Sequence, residues 1–295
     1  MIVFDFRPPS PALGEYVRQH QIVGVTFADT TTPPIKPYWP RPQNCLAFFP
    51  REAQHVHTPD GTGPGKTFRS DLIGQPTIVT NRHVGHDFVV FQVIFQPGAL
   101  FRLTGIPANE LANQFLDAET VFSSEIHSVN ERLSSTDDPF EMVDIVEAFL
   151  HYLVRRQRKV NSRFDCLPID KVSQFLLQNP TSFSLDWLAD QANLSPRQFY
   201  NSFVQRMGIS PKLYARIARF DQTMKLKSTQ PHKDWLHIAI EMGYYDYQHM
   251  ARDFKEFTTL TPIEFFQAET DAPERAFGNA ETIQLLTASH SHLTR

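Results

Sequence analysis

Cysteine is scarce in this 295-residue chain, and long apolar runs are missing. The two cysteines, Cys45 and Cys166, lie far apart, which suits a reducing compartment and provides no metal-ligand pattern. No apolar run approaches the roughly 20 residues that a membrane helix needs. The N-terminus has no basic stretch before an apolar one, so no secretory signal is predicted. We therefore expect a cytoplasmic protein without a membrane partner.

A surplus of basic residues is also missing, because the formal net charge at pH 7 is −4. Nucleic-acid-binding domains are typically basic, so the total charge does not favour DNA binding. The cations are, however, unevenly distributed: five lie between Arg197 and Arg219 with no acid among them. We expect positive potential there, and weaker attraction of phosphates around residues 246–256, where acids and bases are mixed.

The N-terminal part is rich in short β-prone runs separated by turn clusters. The strongest candidate strand is Asp87–Phe95, whose nearly continuous apolar residues predict burial on both faces. Further strands are predicted at residues 21–27, 44–49 and 77–80. Several short strands at this spacing are typical of a small β-sandwich or barrel.

Helical periodicity follows the strands. Helices are predicted at residues 107–115, 125–133 and 139–159, which flank the β-rich region. The predicted fold class is α+β, with an all-α C-terminal domain. The predicted segments are a sensor or dimerisation domain (1–160), a linker (161–168), a DNA-binding domain (169–267) and a poorly ordered tail (268–295).

Two similar stretches fill the predicted C-terminal domain, from Trp187 to Pro211 and from Leu236 to Pro262. Each has a small alanine in a first helix, then a turn, a second helix with an apolar stripe, and a closing proline. This order is typical of a helix-turn-helix unit. Two units joined by one linker helix predict a module that reads two stretches of DNA major groove.

The second helix of the first unit has a polar outward face. Ser195 is predicted to cap it, with Pro196 in its first turn. Phe199 and Phe203 are four residues apart and face inward, which leaves Arg, Gln, Tyr and Asn side chains facing outward. Arginine suits guanine and asparagine or glutamine suits adenine, so this face has the chemistry to read base edges.

The second unit carries the most specific pattern, a run from Ile238 to Lys255 that is closed by Thr261 and Pro262. Its alanine, its Gly-Tyr pair, its Arg-x-Phe-Lys segment and its late proline resemble the signature of the AraC/XylS family of bacterial transcriptional regulators. The resemblance covers residues 169–267 and implies sequence-specific binding of promoter or operator DNA, without an enzymatic activity, metal or cofactor. Thr259 departs from the glycine usual in the family.

Carried onto matching positions, the resemblance assigns base reading to six side chains. These are Arg197, Tyr200, Asn201, Gln248, His249 and Arg252. Contacts with DNA phosphates are predicted for seven others. These are Ser195, Gln205, Lys212, Arg216, Arg219, Tyr247 and Lys255. The N-terminal region more loosely resembles cupin-like sensor domains, which implies a small effector, a homodimer or both, and RNA polymerase as a partner of an activator.

A second hypothesis is a cupin-type metalloenzyme with an accessory helical module. His55 and His57, and His83 and His86, are spaced so that pairs on strands could face one metal ion. The glutamate usual after the first pair is missing. A stoichiometric transition metal in the purified protein would favour this hypothesis over the regulator.

Overall fold

The computed structural model describes residues 2–27, 35–57, 66–83, 85–122, 124–160, 166–181 and 183–271. A part that contains both strands and helices precedes an all-helical part, so the predicted α+β class is confirmed. Within these ranges, no helix is both long enough and apolar enough to cross a membrane.

The strands form two antiparallel sheets. In spatial order, the larger sheet contains β1 (Ile2–Arg7), β2 (Val17–Thr26), β9 (Asp87–Phe95), β4 (Cys45–Phe48), β7 (Ser70–Ile73) and β10 (Phe115–Asp117). The smaller sheet contains β3 (Ile35–Tyr38), β8 (Thr80–His83), β5 (Gln54–His57) and β6 (Lys66–Phe68). The strands predicted at residues 21–27, 44–49 and 87–95 are thus confirmed within a few residues.

The strand predicted at residues 77–80 is wrong, because β8 begins only at Thr80. The backbone N–H of Thr77 donates to Oδ1 of Asn113 at 2.7 Å, and Nδ2 of Asn113 donates to the Thr77 hydroxyl at 2.8 Å. The Asn113 side chain therefore accepts the hydrogen bond that the Thr77 N–H would otherwise donate to a neighbouring strand.

β9 is buried on both faces, as its composition predicts. Phe91, Val93 and Phe95 pack in one core cluster with the helices of the N-terminal part. Val90 and Ile94 point to the opposite face and join a second cluster, which includes Phe68 of the smaller sheet. The apolar layer between the two sheets agrees with the predicted sandwich.

The helices of the N-terminal part are α1 (Ala99–Thr104), α2 (Ala118–Phe122), α3 (Ser124–Ser134) and α4 (Pro139–Val160). The predicted helices at 125–133 and 139–159 are confirmed. The predicted helix at 107–115 is wrong, since only a 3-10 turn at Ala108–Glu110 forms there. Asn113 has φ 58°, a left-handed conformation that ends helical geometry before β10.

The C-terminal part consists of seven helices within the described residues. They are α5 (Pro168–Gln178), α6 (Leu185–Gln191), α7 (Pro196–Met207), α8 (Pro211–Thr229), α9 (Trp235–Glu241), α10 (Tyr247–Thr258) and α11 (Pro262–Asp271). α11 runs past the predicted boundary at Gln267. Residues 161–165 of the predicted linker and 272–295 of the predicted tail lie outside the described residues.

Candidate DNA-binding surface

In the first predicted unit, α6 and α7 are joined by a tight turn with Asn193 at φ 55°. The N-cap of α6 is Ser184, whose hydroxyl accepts a hydrogen bond from the Trp187 N–H. Ser195 caps α7 reciprocally with Gln198: the Ser195 hydroxyl accepts from the Gln198 N–H, and the Gln198 side chain accepts from the Ser195 N–H. Both predicted helix starts are confirmed.

α7 has one buried face and one exposed face. Phe199 and Phe203 are 1% and 0% exposed, so they fix the inward side. The side chains predicted to contact DNA from this helix are all exposed, namely Arg197, Tyr200, Asn201 and Gln205. The structure therefore leaves this set accessible to a partner.

In the second predicted unit, Gly243 follows α9 with φ 70°, as the predicted turn requires. Asp246 caps α10, and its carboxylate accepts from the His249 N–H at 2.6 Å. α10 ends at Thr258, and the next residue, Thr259, adopts the left-handed conformation with φ 67°. Thr259 thus takes the backbone conformation that glycine usually provides.

The outward face of α10 is less open than that of α7. Gln248, Arg252 and Lys255 are exposed, whereas Tyr247 and His249 are half-buried. Nδ1 of His249 accepts from the Tyr245 N–H at 3.4 Å. The imidazole of His249 therefore already has a local partner.

The linker helix α8 is bound to α10 by a cluster of ion pairs. Asp253 of α10 accepts from Nε and Nη2 of Arg216 at 3.1 and 2.7 Å, and from Nη2 of Arg219 at 3.2 Å. Glu256 accepts two further hydrogen bonds from Arg216, at 3.1 and 2.6 Å. The guanidinium of Arg219 also lies 3.9 Å from the centre of the Tyr244 ring. Both arginines predicted to contact phosphates thus hold α10 against α8.

The helix-turn-helix pattern is matched by known proteins. A family model described as a helix-turn-helix domain matches residues 188–268, which span both units. An uncharacterized HTH-type transcriptional regulator of Haemophilus influenzae is 30% identical over 91 residues. The match spans 30% of this chain and only 30% of that protein. Residues 188–268 form an AraC-type helix-turn-helix domain. The predicted family resemblance of the C-terminal part is therefore confirmed.

Solved structures that span most of the chain are more distant. An apo variant of ToxT from Vibrio cholerae is 12% identical over 83% of this chain and 96% of ToxT, with a TM-score of 0.46. ToxT with a bound unsaturated fatty acid is 11% identical over 88% and 96%, with a TM-score of 0.48. The AraC-like transcriptional activator CuxR is 14% identical over 74% and 86%, with a TM-score of 0.25. All three scores lie below 0.5, so they indicate nothing about the ligands of this chain.

The ion-pair cluster changes the electrostatics of the AraC-type domain. Asp253 is almost buried, and its charge is offset by two arginines, so it contributes little negative potential toward a bound anion. The same ion pairs neutralise much of the positive charge that Arg216 and Arg219 give to α8. Among the predicted phosphate-contacting cations, Lys212 and Lys255 remain exposed.

The partners of Arg216 and Arg219 were not predicted from the sequence. Asp253 and Glu256 are three residues apart and therefore lie on one face of α10, while the two arginines lie on one face of α8. This matching spacing of opposite charges on two helices is the sequence pattern that could have predicted the ion pairs. The predicted base-reading and phosphate-contacting roles of all thirteen residues stay predictions.

The histidines of the metalloenzyme hypothesis lie on the smaller sheet or beside it. The register of β5 and β8 places His55 directly opposite His83. The side chains of His55 and His57 lie outside the described residues. Among the side chains that are described, no three that could bind a metal ion lie together.

Proposed function

We propose that this protein is a sequence-specific DNA-binding transcription regulator. α7 and α10 enter successive major-groove segments of one duplex, about one helical turn (roughly 34 Å) apart. One observation carries the proposal: in an AraC-type domain, both helices bury an aromatic face and expose arginine and glutamine side chains, and α7 also exposes an asparagine. Exposed side chains of these types have the donors and acceptors that base edges require.

The two helices play unequal parts in this proposal. On α7, Arg197, Tyr200 and Asn201 are exposed, and they read the first half-site. On α10, Gln248 and Arg252 read the second half-site, and His249 assists from its half-buried position. The exposed face of α7 is more open than that of α10 and carries no acid, which supports a larger share of the affinity for the first unit.

Phosphate contacts position the module on the duplex. We assign them to Lys212, Lys255 and Gln205, which are exposed, together with the N-terminal turns of the two reading helices. Arg216 and Arg219 could bind a phosphate only by breaking their ion pairs with Asp253. We therefore expect these two arginines to orient α10 and to contribute little to the salt dependence of binding.

The proposed role of the N-terminal domain is to modulate the DNA-binding module. A small effector, homodimer formation and contact with RNA polymerase stay predictions of the family resemblance. The function itself is tested first on DNA alone.

The test begins with selection of bound duplexes from a random DNA pool by the full-length protein. Mobility-shift titrations then compare Arg197→Ala and Arg252→Ala with the wild type on the selected duplex. Each substitution should weaken binding by about 1–3 kcal/mol and relax the preference at one base pair. Arg132→Ala provides a matched control, because Arg132 is an exposed helical arginine of the N-terminal part.

Two results would contradict the proposal at different levels. Failure of the wild-type protein to enrich any sequence would remove the regulator function. Enrichment combined with unchanged affinity and preference in both arginine variants would leave the function standing but remove these base-reading assignments.

A further inference from the structure

The N-terminal domain contacts the first helix-turn-helix unit at the C-terminal end of α7. The guanidinium carbon of Arg206 lies 5.1 Å from the centre of the Phe101 ring of α1. A methyl group added at Gly208 would lie 2.9 Å from the carbonyl oxygen of Ala108. Since real contacts of this kind are longer, the two backbones approach as closely as glycine permits.

The end of α7 is held firmly at this contact. Both carboxylate oxygens of Asp170 in α5 accept from Nη1 of Arg206, at 2.9 and 2.8 Å, and both side chains are almost fully buried. A methyl group at Gly98 of the N-terminal domain would lie 2.2 Å from Oδ1 of Asp170. The N-terminal domain therefore packs directly against the ion pair that joins α5 to α7.

The N-terminal domain also reaches the second unit, through the loop between β3 and β4. The ring of Trp39 meets that of Phe265 in α11 edge to face, with the ring centres 5.0 Å apart. Phe265 is 4% exposed and packs in turn against Phe254 of α10, with the ring centres 6.0 Å apart. Trp39 thus contacts the aromatic core that supports the second reading helix.

A single side chain connects the two contacts. Nε2 of Gln75 donates to the carbonyl oxygen of Arg41 at 2.7 Å, which fixes the loop that carries Trp39. A methyl group added at Gly208 would lie 3.4 Å from the Cβ of Gln75, so Gln75 also lies beside the C-terminal end of α7. Arg18 of β2 stabilises the same loop by donating a 2.9 Å hydrogen bond to the side chain of Gln43. The contacts with the two units are therefore parts of one packed segment.

We infer that Trp39 is a positioning residue for DNA binding, and that the N-terminal domain acts as a second connection between the two reading helices. This inference rests on the proposed function. α8 is one covalent connection between the units, and rotation about its ends would change the angle between α7 and α10. A second attachment at Trp39 restricts that rotation, so the chain binds half-sites of one spacing.

The spacing of the half-sites provides a sensitive readout. One inserted base pair moves the second half-site by about 3.4 Å and rotates it by about 35° around the duplex. A pair of helices with both attachments tolerates such a change poorly, whereas a pair held only through α8 and its ion pairs with α10 adapts to it more readily. Loss of Trp39 should therefore change the preference for spacing more than the affinity for one half-site.

The experiment uses full-length protein and the duplex that the wild type selects from a random pool. Matched duplexes carry one or two extra base pairs between the half-sites, or only one half-site. For Trp39→Ala we expect the discrimination between correct and altered spacing to fall by roughly three- to tenfold. The affinity for the single half-site should stay within about twofold of the wild-type value.

Two further variants complete the design. Trp39→Phe keeps an aromatic edge for Phe265 and should retain most of the spacing preference. Phe140→Ala is the matched control, because Phe140 is a 68% exposed aromatic residue of the N-terminal domain on α4. This control should leave both the spacing preference and the half-site affinity unchanged.

Three outcomes decide the matter. Wild-type spacing preference in Trp39→Ala would overturn the inference. An equal loss on the single half-site and the full site would also overturn it, because Trp39 would then act on the fold of one unit. Failure of the wild type to select any duplex would instead refute the proposed function, on which the inference rests.

Discussion

Substitution of Asp253 by asparagine tests whether the ion pairs between α8 and α10 hold the second unit in place. Asparagine keeps the shape of the side chain and removes its charge. In the structure this carboxylate is 3% exposed and accepts three hydrogen bonds from Arg216 and Arg219, at 3.1, 2.7 and 3.2 Å. The change therefore leaves two guanidinium groups without their buried counter-charge.

The expected loss in the free energy of unfolding depends on how exposed the two arginines are. Removal of one partner of a fully buried ion pair costs about 3–5 kcal/mol. Arg216 is 28% exposed and keeps Glu256 as a partner, so the loss is smaller on that side. Arg219 is only 12% exposed, and its main carboxylate partner disappears. We expect Asp253→Asn to lower the free energy of unfolding by about 2–3 kcal/mol.

Urea unfolding followed by tryptophan fluorescence measures this loss. All three tryptophans of the chain, Trp39, Trp187 and Trp235, lie in the C-terminal helices or pack against them, so the signal reports on the relevant part. Glu256→Gln is the matched control: its side chain is 54% exposed, and its loss should cost less than about 1 kcal/mol.

A free energy of unfolding for Asp253→Asn within about 0.5 kcal/mol of the wild-type value would refute this role of the ion pairs, and so would an equal loss in Glu256→Gln. A double substitution with Arg216→Ala adds a further check. Because the two side chains interact directly, the second loss should be clearly smaller in the Asp253→Asn background than in the wild type.

Three further predictions concern single contacts. Ser195→Ala removes the cap of α7 and should lower the free energy of unfolding by about 1 kcal/mol in the same urea assay. Gly208→Ala places a side chain at φ 92° against the Ala108 carbonyl and should cost about 1–3 kcal/mol, whereas a neutral result would exclude strain there. Burial holds the pKa of His20 below its usual 6.5 despite the neighbouring Glu147. The unfolded chain therefore takes up a proton first as the pH falls below about 6.5, so stability should drop between pH 7 and 5. Comparison of urea midpoints should show a smaller drop for His20→Gln.

Local patterns were sufficient to predict the helix-turn-helix units. Ser184, Ser195 and Asp246 each cap the helix that follows, because capping depends on a side chain and a backbone N–H only three residues away. Phe199 and Phe203, four residues apart, defined the buried face of α7 for the same reason. The errors arose where a contact from elsewhere in the chain decided the conformation, as at Thr77, whose N–H is taken by Asn113.

The sequence by itself determined the C-terminal domain and its exposed polar faces, since short-range periodicity, capping and turn residues specify helices and their buried sides. Only the tertiary structure decided which charges remain available and how the two units are connected. Arg216 and Arg219 look like phosphate-binding residues until Asp253 is seen beside them, 34 to 37 positions away in the chain. Trp39 and Phe265 are separated by most of the chain, and no local pattern predicts their contact. Long-range pairing of charges and rings depends on how the elements pack in three dimensions, which a sequence pattern of short range does not encode.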